Sequence, residues 1–103
     1  MADKHIVLFC VGGMSTGILI NKMKAEAQKL GKDYEITACA IAEQDTKGPL
    51  ADVILVGPQV KYAVGKLKEQ FPDKPVVAID TRTYGMMKGD EVLRTAMKLM
   101  GEE

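Results

Sequence analysis

A chain of 103 residues, 47% hydrophobic and 27% charged, has the composition of a single globular domain spanning 1–103, with room for one core. Lys plus Arg and Asp plus Glu each number 14, so no bulk field draws it to nucleic acid or to an acidic membrane surface. Two cysteines and one histidine exclude a disulfide framework and a four-ligand zinc site, and no metal or cofactor is expected.

The first apolar run, His5 to Val11, is far shorter than the ~20 residues that span a bilayer. It also lacks a basic leader and a small-residue cleavage site, so the expectation is a cytoplasmic protein with reduced thiols. Within it Ile6 to Phe9 reads as a strand covered on both faces, as do Val53 to Val56 and Val76 to Ile79: each is continuous, rich in β-branched residues and bounded by Gly, Pro or Asp. Tyr34 to Ala40 alternates instead, with Glu35, Thr37 and Cys39 on the more polar side, which suits an edge strand.

Helical periods fill the gaps. Ser15 or Thr16 is expected to cap the first helix, whose stripe is Leu19, Met23, Ala27 and Leu30, with Gly31 ending it. Only a short helix fits before Lys47-Gly48-Pro49. Pro58 suits the start of the next, with Val60, Ala63, Val64 and Leu67 inward. Asp90 is the expected cap of the last, with Leu93, Ala96, Met97 and Met100 on one face and Gly101 behind. Alternating strands and helices with right-handed crossovers predict an α/β doubly wound domain: a four-stranded parallel sheet, order 2-1-3-4, with helices on both faces. Ligands on such sheets sit beyond the strand carboxyl ends, where the order reverses between strands one and three.

The loop at that point reads Cys10-Val11-Gly12-Gly13-Met14-Ser15-Thr16-Gly17. Glycines let successive amides turn inward as a nest, and the helix that follows adds its positive end. Ser15 and Thr16 offer hydroxyl donors. Such a cradle stabilises a thiolate and holds the oxygens of a phosphoryl group on that sulfur. Cys10 is therefore the candidate nucleophile, and Val11, Gly12, Gly13, Met14, Ser15, Thr16 and Gly17 the candidate phosphate-binding residues. That role requires a sulfur open to solvent. Val11 and Met14, apolar on a loop, either form a docking surface for another protein or fold inward as local core.

Two families place a cysteine at the end of the first strand of this fold. Low-molecular-weight tyrosine phosphatases keep an Arg where this chain has Thr16, and a hydroxyl cannot clamp two phosphate oxygens as a guanidinium does. Asp80 stands roughly where those enzymes keep a general acid, but an Asp before Thr81-Arg82-Thr83 also forms a turn. Over essentially its whole length the chain resembles a different family, the lactose/cellobiose/chitobiose class of IIB subunits of the bacterial sugar phosphotransferase system. The resemblance rests on HIVLFCVGGMSTGILINKMK, ADVILVGPQV and KPVVAIDTRTYG, and above all on Cys10, Gly13, Met14, Ser15 and Thr16. It implies a flavodoxin-like fold and a phosphoryl carrier. A phosphohistidine on a IIA subunit would donate to Cys10, which would pass the group to a disaccharide held by the IIC membrane subunit. The leaning toward cellobiose or a related β-glucoside comes from overall resemblance alone. Gln59 could contact a phosphate or merely open a helix; Tyr84, Met86 and Met87 could rim the docking surface or simply pack. Cys39 reads as a bystander, and His5 lies at the wrong end of its strand to act as a base for Cys10.

Overall fold

The structure, a computed structural model, describes residues 4–11 and 14–102, with the side chains of Met14 and Ser15 excepted. Strands β1 (Lys4–Cys10), β2 (Tyr34–Ala40), β3 (Val53–Val56) and β4 (Val76–Ala78) form one sheet in the order β2-β1-β3-β4. All three pairings are parallel, as predicted, so every strand ends on the same edge of the sheet. Helices α1 (Met14–Lys29), α2 (Gln44–Lys47), α3 (Val64–Gln70), α4 (Thr81–Gly85) and α5 (Gly89–Met100) fill the connections.

The continuous apolar strands follow from burial on both sides. Ile6, Leu8, Val53 and Leu55 pack against α1 and α5, while Val7, Phe9, Ile54 and Val56 pack against Val60, Ala63 and Leu67 on the opposite face. Ile6 to Phe9 and Val53 to Val56 thus spend every residue on one core or the other, which leaves no polar alternation to read. Helix α1 buries Leu19, Ile20, Met23 and Ala27, whereas Leu30, expected on the same stripe, is 45% exposed beyond the helix end. Gly31 follows at φ 72°, a left-handed turn that glycine adopts without a Cβ clash.

Four local expectations are corrected. Helix α1 begins at Met14, so Ser15 and Thr16 lie inside its first turn rather than at its cap. Lys88, not Asp90, is the residue before α5, because Gly89 joins the helix where it lies against Lys22 and Met23 of α1. Pro58 opens a 3-10 turn (Pro58–Ala63), kinked at Val60, before α3 proper. On β2 the buried residues are Ile36 and Cys39, one on each face, with Glu35, Ala38 and Ala40 exposed, and Cys39 belongs to the core beside Val7 and Phe9. The segment 41–50 is the short α2 between two 3-10 turns, in keeping with Lys47-Gly48-Pro49 as a breaker.

Candidate active site

Cys10 is the last residue of β1, one of the two inner strands, paired in register with Ala40. β3 ends beside it. The Gly57 amide donates to the Phe9 carbonyl at 2.8 Å, and a Cβ built on Gly57 would stand 3.5 Å from the Cys10 Cβ and 3.2 Å from the Gln59 side-chain oxygen. Gln59 itself is exposed. The loops after β1 and β3 therefore meet at the switch point, with Cys10 between them.

Cys10 is buried, 2% exposed, contrary to the expectation of an open sulfur. Its thiol donates to the Cys39 carbonyl oxygen at 3.7 Å. The neighbouring chain is open: Val11 is 63% exposed, an apolar tip turned to solvent rather than into the core. Gly12 and Gly13, on which the amide nest depends, lie outside the described residues, as do the side chains of Met14 and Ser15. Gly17 is exposed in the first turn of α1, and a Cβ there would meet nothing within 4 Å.

Thr16 departs from its expected use. It is 3% exposed, and its hydroxyl pairs at 2.7 Å with the hydroxyl of buried Tyr84, which is 68 residues away in sequence. A net value of about 1 kcal/mol is typical for such a bond, and breaking one side of it leaves a buried hydroxyl unpaired. The side-chain donor read from the sequence is thus turned away from the loop and into the core. Tyr84 in turn sits in α4, whose start is fixed by Asp80. The Asp80 carboxylate accepts the amides of Arg82 (3.1 Å) and Thr83 (3.2 Å), a cap worth about 1 kcal/mol. The turn reading of Asp80 accounts for these bonds. Met86 is 54% exposed, while Met87, at φ 55°, packs against the core.

The remaining candidates stay apart. His5, at the start of β1, pairs its ring with Thr37 at 3.1 Å and with Glu35 at 3.4 Å. Burial pushes the Cys39 thiol up from its ordinary range, and Glu43 pushes it the same way, so it stays protonated and unreactive at neutral pH. If Cys10 is the phosphoryl carrier that the sequence suggests, Cys39, which accepts the Cys10 thiol through its backbone carbonyl, is dispensable: Cys39→Ala is expected to leave transfer within about twofold of wild type while costing about 1 kcal/mol of stability. A transfer assay and a thermal melt check this; a large loss of transfer would mean that both thiols take part. Among the described residues no helix is long and apolar enough to cross a membrane.

The chain is similar to known proteins. The chain is 45% identical to the galactose-specific EIIB component of the PTS system of Lactococcus lactis subsp. cremoris, with 97% of this chain and 99% of that protein covered. Identity and coverage are the same for the cellobiose-specific EIIB component of Lactococcus lactis subsp. lactis. An oligo-beta-mannoside-specific EIIB component of Bacillus subtilis is 35% identical over 94% of this chain and 96% of its own. The solution structure of a cellobiose-specific phosphotransferase IIB component from Borrelia burgdorferi superposes with a TM-score of 0.79 at 30% identity, covering 95% of this chain and 92% of that one. A lactose-specific IIB domain from Streptococcus pneumoniae, 19% identical, shares the fold with a TM-score of 0.78 over 93% of this chain and 96% of that one. Residues 5–95 match the family described as PTS system, Lactose/Cellobiose specific IIB subunit. The chain belongs to that family of phosphotransferases.

Proposed function

We propose that Cys10 carries the phosphoryl group, taking it from a phosphohistidine of a IIA subunit and giving it to a disaccharide bound by the IIC membrane subunit, on the cytoplasmic side. In the first step the histidine P–N bond breaks, an S–P bond forms, and the thiol proton passes to the histidine nitrogen. In the second the S–P bond breaks, a sugar oxygen takes the group, and the sulfur regains a proton. The observation that supports this most directly is the position of Cys10 at the carboxyl end of β1, beside the end of β3 and four residues ahead of the start of α1. Phosphoryl transfer of this kind needs positioning and electrostatic stabilisation more than covalent chemistry from the protein.

The covered sulfur sets a condition. At 2% exposure no donor can reach it, so docking of the donor must draw the thiol off the Cys39 carbonyl and open the residues around it. Exposed Val11, and Met86 at the end of α4, are apolar tips on which such docking could act. Cellobiose or a related β-glucoside is the sugar we propose. A galactose-specific and a cellobiose-specific relative match at the same 45% identity, which supports a choice of sugar made outside this chain.

The competing reading, a phosphatase, is disfavoured: the position of its Arg holds Thr16, whose hydroxyl faces Tyr84. The test is mass spectrometry after incubation with the phosphorylated donor. One added phosphoryl group on Cys10, and hardly any phosphate released from an aryl phosphate, is expected. A label on another side chain sinks the assignment of Cys10. Rapid release of phosphate with no donor present sinks the carrier and favours the phosphatase.

A further inference from the structure

We propose that Tyr84 is a positioning residue of the phosphoryl-carrying site, acting through Thr16. The inference rests on the reading of Cys10 as the carrier. The bond between the two hydroxyls, 2.7 Å and buried, joins α4 to the first turn of α1, two segments that share no other hydrogen bond among those described. Nothing in the local sequence requires it. A Thr inside a helix normally turns its hydroxyl to a backbone carbonyl or to water. Here it is spent on a residue from the far end of the chain.

The placement of the bond gives it a use. Thr16 is the third residue of α1, so its amide is among the four that have no partner within the helix. In a strand–loop–helix unit such amides face the carboxyl end of the preceding strand, where a phosphoryl group on Cys10 would need donors. With its own hydroxyl committed to Tyr84, Thr16 offers that group its amide and not its side chain. What the hydroxyl does instead is fix the turn. Tyr84 is held in its own right: Asp80 caps α4, and the Tyr84 amide donates to the Asp80 carbonyl at 2.9 Å. A chain of contacts thus runs from the end of β4 through Asp80, α4 and Tyr84 to the turn that follows the Cys10 loop. Misplacement of donors by about 1 Å can cost two orders of magnitude in rate, so an anchor on this turn bears on transfer without touching the phosphate.

The test is Tyr84→Phe, which removes one oxygen and keeps the ring. At saturating phosphorylated donor, and well below the melting temperature, the rate of Cys10 labelling is expected to fall about ten- to a hundredfold. The donor concentration at half-maximal rate stays within about twofold, because buried Tyr84 does not face the donor. The phosphorus NMR resonance of the phosphocysteine moves as well. A purely structural bond would lower the melting temperature and leave all three unchanged. Thr16→Val, which cuts the same bond from the other side, is expected to match Tyr84→Phe, and the double variant to lose little more. Thr16→Ser regains at least about half of what Thr16→Val loses. If Tyr84→Phe does not fold, Thr16→Val is read in its place. A wild type labelled on Cys10 together with full-rate Tyr84→Phe and Thr16→Val variants overturns this inference alone. A wild type labelled elsewhere overturns the carrier reading, and this inference with it.

Discussion

Cys10→Ser is expected to abolish phosphoryl transfer to the sugar, by at least about a thousandfold or ~4 kcal/mol of barrier, while the fold stays in place. Sulfur is the stronger nucleophile toward a phosphohistidine; a serine hydroxyl needs a base, and the described surroundings supply none. Among the described residues the one histidine is His5, at the other end of β1 and bonded to Thr37 and Glu35. The fold is spared because serine is slightly smaller than cysteine and needs only a small shift to bring its hydroxyl to the Cys39 carbonyl, so stability should move by about 1 kcal/mol. Labelled phosphorus followed from donor to sugar, with a melt of the variant alongside, reads both halves. An active Cys10→Ser protein that is itself phosphorylated would refute the role given to the sulfur.

Gly89→Ala is expected to cause a large loss of stability without a matching loss of chemistry. A Cβ at Gly89 would stand 2.6 Å from the Lys22 Cβ and 2.9 Å from both the Lys22 carbonyl carbon and the Met23 amide nitrogen. Backbone cannot swing aside as a side chain can. The methyl must push the start of α5 away from α1, loosening Leu19 and Met23 against Val92, Leu93 and Ala96. The expected cost is about 2–3 kcal/mol, less whatever alanine returns in helix propensity. For a chain of this size that corresponds to a melting temperature lower by roughly 10–20 °C. Gly65→Ala in α3 is the control, since a Cβ there meets nothing within 4 Å and the substitution should be neutral or stabilising. Calorimetry of the two variants decides; equal melting points would mean that α1 and α5 have slack at their crossing.

Much of this architecture was readable from local pattern. Ile6 to Phe9 and Val53 to Val56 are short, apolar and β-branched, and their burial on both faces is what such runs mean in a parallel sheet. The strand order followed from one polar-looking edge strand, and the position of Cys10 at the end of the first strand from the apolar run that precedes it. The errors came where distant chain decides the environment. Alternation along β2 assigns Cys39 to a wet face, yet packing beside Phe9 and Ala51 buries it. Asp90 has the composition of a cap, but the helix starts two residues earlier, with Gly89 in close approach to α1. Thr16 looked like a phosphate donor because nothing near it in sequence claims its hydroxyl. Its partner, Tyr84, is supplied by a five-residue helix after the last strand. Burial of Cys10 is what a cysteine at the end of an apolar strand most often means, and only the role given to its sulfur called for an open one.

That cover has a chemical corollary for a protein that works repeatedly. A cysteine held in the open is the first group peroxide oxidises, and beyond the sulfenic acid the damage is not ordinarily repaired. With 2% of its surface exposed and its proton shared with a main-chain oxygen, Cys10 meets oxidants and alkylating agents slowly between encounters. In the carrier reading proposed above, the same shelter that delays a donor would lengthen the working life of the thiol.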